Sequence, residues 1–125
     1  MTSPSANQKT YPYPNELTWS ESEKTIARTA FDAALGQELH ELIRETKQMA
    51  RVIQKSSDLW DLEHHLTQRR KDIDRKYESR SSRRIDVLGR LLYENRINEE
   101  DLRGLSEEKM KSIRSFVQFL RDDAA

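Results

Sequence analysis

No cysteine occurs in the 125 residues. That excludes disulfides, a thiolate nucleophile and every cysteine-ligated metal centre. Apolar residues are also scarce, at 34% of the chain against 35% charged. A lone domain of this composition has little apolar area to set against chain entropy, which favours helices with solvated faces and support from another chain. No run of eighteen apolar residues exists and the N-terminus lacks the charged-then-apolar pattern of a signal peptide, so the expectation is a soluble, cytoplasmic protein with no membrane association. Neither sign of charge is in excess: 22 lysines and arginines stand against 22 aspartates and glutamates. Global attraction to nucleic acid or anionic lipid is therefore not expected. Glycine-rich phosphate loops, a nucleophile with a placed base and zinc-type spacings are all missing, so no enzymatic activity, cofactor or metal is expected.

Proline is confined to positions 4, 12 and 14. The polar, aperiodic segment 1–18, including "YPYP", reads as a disordered tail. Between Ser20 and Arg96 there is no proline, and glycine occurs only at 36 and 89. "SESE" is a capping box, with Ser20 accepting from an amide three residues on and Glu23 reaching back. Ala27, Phe31, Ala34, Leu35, Leu39 and Leu42 then recur at helical spacing, continued by Met49, Ala50 and Ile53. "KSSD" interrupts the pattern, with Ser56 or Ser57 as the next N-cap. A second helix is expected on Leu59, Leu62, Leu66, Ile73, Tyr77, Leu88 and Leu91. "NEED" marks a short helical turn around Leu102 before Gly104, and "SEEKMKSIRSFVQFL" closes the chain as an amphipathic helix.

The fold class is all-α: two long antiparallel helices at 19–95 and a small two-helix head at 96–125. Each long helix would run about 35 residues, or roughly 50 Å. A compact domain of this size has a radius of gyration near 13 Å and cannot hide two such stripes. A homodimeric helical bundle answers the mismatch, with Phe31, Leu42, Leu62, Leu66, Ile73 and Tyr77 expected along its interface.

Trp60 does not share that seam. At about 100° per residue, Leu59, Leu62, Leu66, Ile73, Tyr77 and Leu88 fall within roughly 80°, and Trp60 lies about 125° from their centre, on the side of His64. Arg70 falls inside the apolar sector and calls for a carboxylate partner, with Glu63 and Asp74 beside it. Tryptophan and arginine are favoured hot-spot residues, so Trp60 is either a second core contact or an anchor for a partner.

The pattern "DLW" at 58–60, Leu62, Leu66, Arg70, "ID" at 73–74, "KY" at 76–77 and Arg80 resembles the fluorescence recovery protein family. The resemblance runs without gaps from Trp19 to about Leu120. It takes in Glu23, Phe31, Ala34, Glu38 and Leu42 on the first helix, and Leu91, Leu92, Glu94, Leu102, Leu105, Lys109 and Ile113 towards the end. The resemblance implies an all-helical, non-enzymatic dimer. Such a protein binds photoactivated orange carotenoid protein, mainly through that protein's C-terminal domain, and speeds its return to rest and its detachment from the phycobilisome antenna. The family's functional patch includes the tryptophan, a nearby histidine–aspartate pair and the arginine ten residues after the tryptophan. By that match the partner-binding residues here are Trp60, Glu63, His64 and Arg70, with the acidic and imidazole groups exchanged in order. The stretch before Val87 departs from the family pattern at Arg83, Arg84 and Asp86, where apolar residues are expected.

Rival readings are weaker. A dimeric helical adaptor or chaperone-like regulator of a different client is the second reading. "FDAALGQELHELIRET" mimics a histidine-kinase phosphoacceptor box around His40 and Glu41, but its proline is missing and His40 falls on the solvated side of the helix. "RRK" at 69–71 and "RSSRR" at 80–84 are interrupted by Asp72, Asp74 and Glu78, which breaks the continuous basic face that nucleic acid needs. "EHH" at 63–65 is a poor metal site, because adjacent helical histidines diverge by about 100°.

Overall fold

The structure, a computed structural model, describes residues 18–124. The expected tail and its "YPYP" lie outside the described residues, except for Thr18 at its end. Among the described residues there are four α-helices and one 3₁₀ turn, with no strand: α1 (Glu21–Arg51), α2 (Ser56–Tyr77), α3 (Arg84–Tyr93), the 3₁₀ turn (Glu99–Leu102) and α4 (Glu107–Ala124).

The start of α1 is set by the capping box read in "SESE". The Ser20 hydroxyl accepts from the Glu23 amide and the Glu23 carboxylate accepts from the Ser20 amide, both at 3.1 Å. Its 31 residues span roughly 46 Å. The helix ends at Arg51, and α2 folds back along it after a short turn. The cap of α2 differs from expectation: the N-cap is Lys55 rather than Ser56 or Ser57. Capping comes from within the helix, where the Asp58 carboxylate accepts from the Gln54 and Lys55 amides at 3.0 and 3.3 Å. An acidic side chain in the first turn also suits the helix dipole.

The single second helix expected through Leu91 is two helices. It stops at Tyr77, and residues 78–82 form turns before Arg83 caps α3. The break coincides with a serine cluster, whose hydroxyls can compete with the backbone ladder. The Ser82 hydroxyl donates to the Ser79 carbonyl at 3.3 Å, and the Ser82 and Arg83 amides close on that same carbonyl at 3.1 and 2.8 Å. The Arg80 guanidinium donates to the Tyr77 carbonyl at 2.7 Å, satisfying a terminal acceptor of α2.

Breaking there lets α3 turn and pack on α4, the most extensive helix contact among the described residues. Leu88, Leu91 and Ile113 are fully buried between them. Gly89 permits the approach: a Cβ at that position would lie 2.7 Å from Phe116 Cδ2. The 3₁₀ turn is capped as "NEED" implies, with Asn98 Oδ1 accepting from the Asp101 amide at 3.1 Å and Asp101 from the Asn98 amide at 2.9 Å. The first half of α1, through Ala27, Ala30, Phe31 and Ala34, joins this core, as do Ile73 and Tyr77 from the end of α2. From residue 39 to residue 72 no side chain is buried.

Candidate functional site

The four expected partner-binding residues lie on one strip of α2. At about 100° per residue, Trp60, Glu63, His64 and Arg70 fall within roughly 120° of helix surface. All four are exposed, and Trp60 shows 63% of its surface. Their mutual ties are light. Thr67 donates to Glu63 at 3.2 Å, and Arg70 pairs with Asp74 at 3.8 Å across two largely exposed side chains. Asp74 is one of the two carboxylates anticipated for Arg70. An exposed pair of this length contributes at most about 1 kcal/mol. The strip therefore presents an indole, a carboxylate, an imidazole and a guanidinium that a partner can engage at little cost in broken contacts.

His65 turns the other way, as the 100° divergence within "EHH" requires. Its Nε2 lies 3.1 Å from Glu45 Oε1 on α1, and Arg69 Nε donates to the same oxygen at 3.4 Å. The hydrogen bond from His65, aided by Arg69, holds the Glu45 carboxyl below its ordinary range against the opposing effect of burial. This polar clasp joins the two helices where their apolar contact is thin. His40 is exposed on α1, the solvated side expected for it.

The residues expected at a dimer seam divide into two groups. Phe31, Ile73 and Tyr77 are buried in the chain's own core, at 4%, 6% and 2% exposure. They pack there because the break after Tyr77 brings α3 and α4 over this end of the hairpin. Leu42 and Leu62 are half-buried, and Leu66 is exposed. Around these last three lie further exposed apolar side chains: Leu39 and Ile43 on α1, Val52 at the turn and Leu59 on α2.

A second feature lies where hairpin and head meet. Glu38 is only 1% exposed yet carries a carboxylate. Its Oε2 accepts from the Tyr77 hydroxyl at 2.7 Å and from Lys76 Nζ at 2.9 Å, and Arg96 Nε lies 3.4 Å away. Lys76 also donates to Glu94 at 2.7 Å, and Arg96 forms a fork with Glu41 at 3.1 and 3.2 Å. Burial, then the Glu38 carboxylate, raise the Tyr77 hydroxyl far above its ordinary range, so it remains a donor. The Arg96 hydrogen bond holds the Glu41 carboxyl low. Sequence reasoning did not single out Lys76 and Arg96 as partners of Glu38. A signal existed: Glu38 continues the spacing of Ala27, Phe31 and Ala34, and a carboxylate on an apolar stripe demands partners.

A similar lock ties the start of α1 to α4. Glu23 accepts from the Ser106 amide at 3.0 Å and pairs with Lys109 at 3.1 Å, both residues being buried. Lys109 and Arg84 also lie over the Trp19 ring, at 5.2 and 5.3 Å from its centroid. Among the buried side-chain nitrogen and oxygen atoms of the described residues, none lacks a hydrogen-bond partner. Before Val87, Arg83 Nε donates to Asp86 at 2.7 Å, so those two departures from the family pattern are matched to each other. Among the described residues no cluster of metal-ligating side chains forms, and no helix is long and apolar enough to cross a membrane.

Comparison with known proteins agrees with this architecture. The family model described as photoprotection regulator fluorescence recovery protein matches residues 19–117. The fluorescence recovery protein of Synechocystis sp. is 33% identical over 103 residues, covering 82% of this chain and 94% of that protein. Its solved structure matches with a TM-score of 0.75, covering 81% of this chain and 99% of that one. The fluorescence recovery protein structure from Fremyella diplosiphon also gives 0.75, at 30% identity with the same coverage.

Proposed function

The chain belongs to the fluorescence recovery protein family of photoprotection regulators, and from that premise we propose that it is a non-enzymatic homodimer that binds photoactivated orange carotenoid protein and speeds its return to the resting form. To do so it must favour the resting form, or the path to it, over the active form. The observation that carries this reading is the exposure of Trp60 on a strip with Glu63, His64 and Arg70 that adjoins the apolar sector of the same helix at Arg70. A buried aromatic anchor with a neighbouring guanidinium is the usual energetic centre of a protein interface.

The dimer is supported by the distal hairpin. Thirty-four consecutive positions, 39–72, bury no side chain within one chain. Leu39, Ile43, Leu59 and Leu66 are left exposed there, and a second copy covering them would supply the missing apolar burial. Light scattering at micromolar concentration should report twice the chain mass; a compact monomer would remove this part of the reading.

The test of function is to mix the protein with photoactivated orange carotenoid protein and follow dark reversion by absorbance. Acceleration is expected, and Trp60→Ala with Arg70→Glu should abolish it while leaving helicity unchanged. A different client is favoured by two observations, the exchanged order of Glu63 and His64 and the charged Arg83, Arg84 and Asp86 before Val87. Absence of acceleration by an intact dimer would select that second reading.

A further inference from the structure

We propose that the cavity between the start of α1 and the connector into α3 binds a small polyvalent oxyanion of the phosphate class. The cavity encloses about 270 Å³ and is lined by Lys24, Arg28, Asp32, Arg80, Ser81 and Arg84, with the buried ring of Phe31 on its wall. Lys24, Arg28 and Asp32 are spaced i, i+4, i+8 and so share one face of α1. Arg80 and Arg84 bracket the serine turn opposite. Two separate elements thus converge four cations and one carboxylate on a single concavity.

The chain is neutral overall, and the cations that bridge neighbouring elements elsewhere meet carboxylates: Arg96 meets Glu41, Lys109 meets Glu23 and Arg114 meets Glu99. Three of the four cations around this cavity, Arg28, Arg80 and Arg84, enter no ion pair among the described residues. The Arg80 guanidinium is fixed by a carbonyl oxygen and that of Arg84 by the Trp19 ring, and both contacts leave the charge in place. Among the described residues Arg28 and Asp32 enter no ion pair, and Lys24 reaches only the exposed Glu21 at 3.4 Å. Like charges gathered beside an apolar wall repel one another more than they would in open water. An anion relieves that repulsion, and guanidinium forks with a serine hydroxyl suit the tetrahedral oxygens of phosphate. The volume lies just below the roughly 300–1,000 Å³ of drug-sized sites, which fits one or two phosphate groups rather than a nucleotide. Occupied, the site would tie α1 to the segment joining hairpin and head.

Titration calorimetry of the full chain with inorganic phosphate and with pyrophosphate, at constant ionic strength, tests this directly. Saturable one-to-one binding is expected, tighter for pyrophosphate. Arg28→Gln, at an exposed position with no ion pair, should weaken binding about tenfold or more. Asp32→Asn removes the one opposing charge and should tighten binding about threefold. Lys111→Gln, on α4 outside the cavity, should leave binding unchanged. No saturable heat from either anion at millimolar concentration would overturn the proposal. So would binding that neither Arg28→Gln nor Asp32→Asn alters in correctly folded variants.

Discussion

Between Glu21 and Glu38, α1 buries six side chains; from Leu39 to Arg51 it buries none. The same contrast runs down α2, whose only buried residues, Ile73 and Tyr77, lie near its C-terminal end. At the proximal end the helices are roofed by α3 and α4, and their charges are locked into the Glu38 and Glu23 networks. At the distal end they meet through a polar clasp of His65 and Arg69 on Glu45 and leave leucines and an indole in the open. One half of the helix pair is committed to the chain's own core, and the other keeps apolar side chains exposed. The charged residues follow the same division. Buried ones have several partners each, because an unpaired buried charge is costly, whereas Arg70 and Glu63 keep loose contacts and remain available.

The contrast can be broken most severely at Glu38. Glu38→Ala leaves Lys76, Arg96 and the Tyr77 hydroxyl short of a partner in a buried site, and should cost about 3–5 kcal/mol. Urea denaturation would measure it, and a loss under about 1 kcal/mol would show that the proximal charges are not a lock. Next comes Glu23→Gln, expected to cost about 1.5–3 kcal/mol at pH 7 because Glu23 serves two amides and Lys109. The cost should depend on pH. Burial pushes the Glu23 carboxyl upward, but the Ser20 and Ser106 amides and the Lys109 ammonium outweigh it, leaving the folded value below the ordinary one. A group of this kind contributes stability that is fully present above the unfolded value of about 4.3 and is lost as pH falls through the lower folded value. The difference between the natural chain and Glu23→Gln should therefore shrink on acidification through that window. A gap that stayed constant would deny the ionised carboxylate its role.

A backbone substitution should cost less. Gly104 has φ +106°, and a Cβ there would lie 2.6 Å from Ile26 Cδ1 on the proximal part of α1. Gly104→Ala should destabilise by about 1–2 kcal/mol, read from the denaturation midpoint. The smallest effect belongs to the distal half. Trp60→Ala should change stability by no more than about 0.5 kcal/mol, since most of the ring is already in solvent. A larger loss that depends on protein concentration would move Trp60 from the client face into the contact between copies, sharpening where one surface ends and the other begins.

Much of this could be read in the residues. Helical spacing from Ala27 to Leu42 located α1, "SESE" and "NEED" marked their own capping, and the angular offset of Trp60 from the leucines took it off their seam while leaving open a second core contact, which its exposure excludes within the chain. The resemblance carried by "DLW" through "KY" agrees with the family to which the chain belongs. The break after Tyr77 was less legible. Leu88 and Leu91 keep helical register with Tyr77, so the apolar period runs through the turn without interruption. Only the serines at 79, 81 and 82 mark it, and their effect depends on backbone hydrogen bonds that a pattern of apolar residues does not encode.

By itself the sequence determined the helical class, the caps of α1 and of the 3₁₀ turn, the absence of cysteine chemistry and the side of α2 on which Trp60 stands, because these follow from neighbours within a turn or two. Only the tertiary structure decided which stripe residues the chain keeps for itself. Ile73 and Tyr77 share a period with Leu62 and Leu66 on α2, yet α3 and α4 fold over the first two and not the last two. It likewise decided the partners of Glu38, which lie 38, 39 and 58 positions away at Lys76, Tyr77 and Arg96. Periodicity along one helix says which side chains share a face; what covers that face depends on where a turn elsewhere sends the chain.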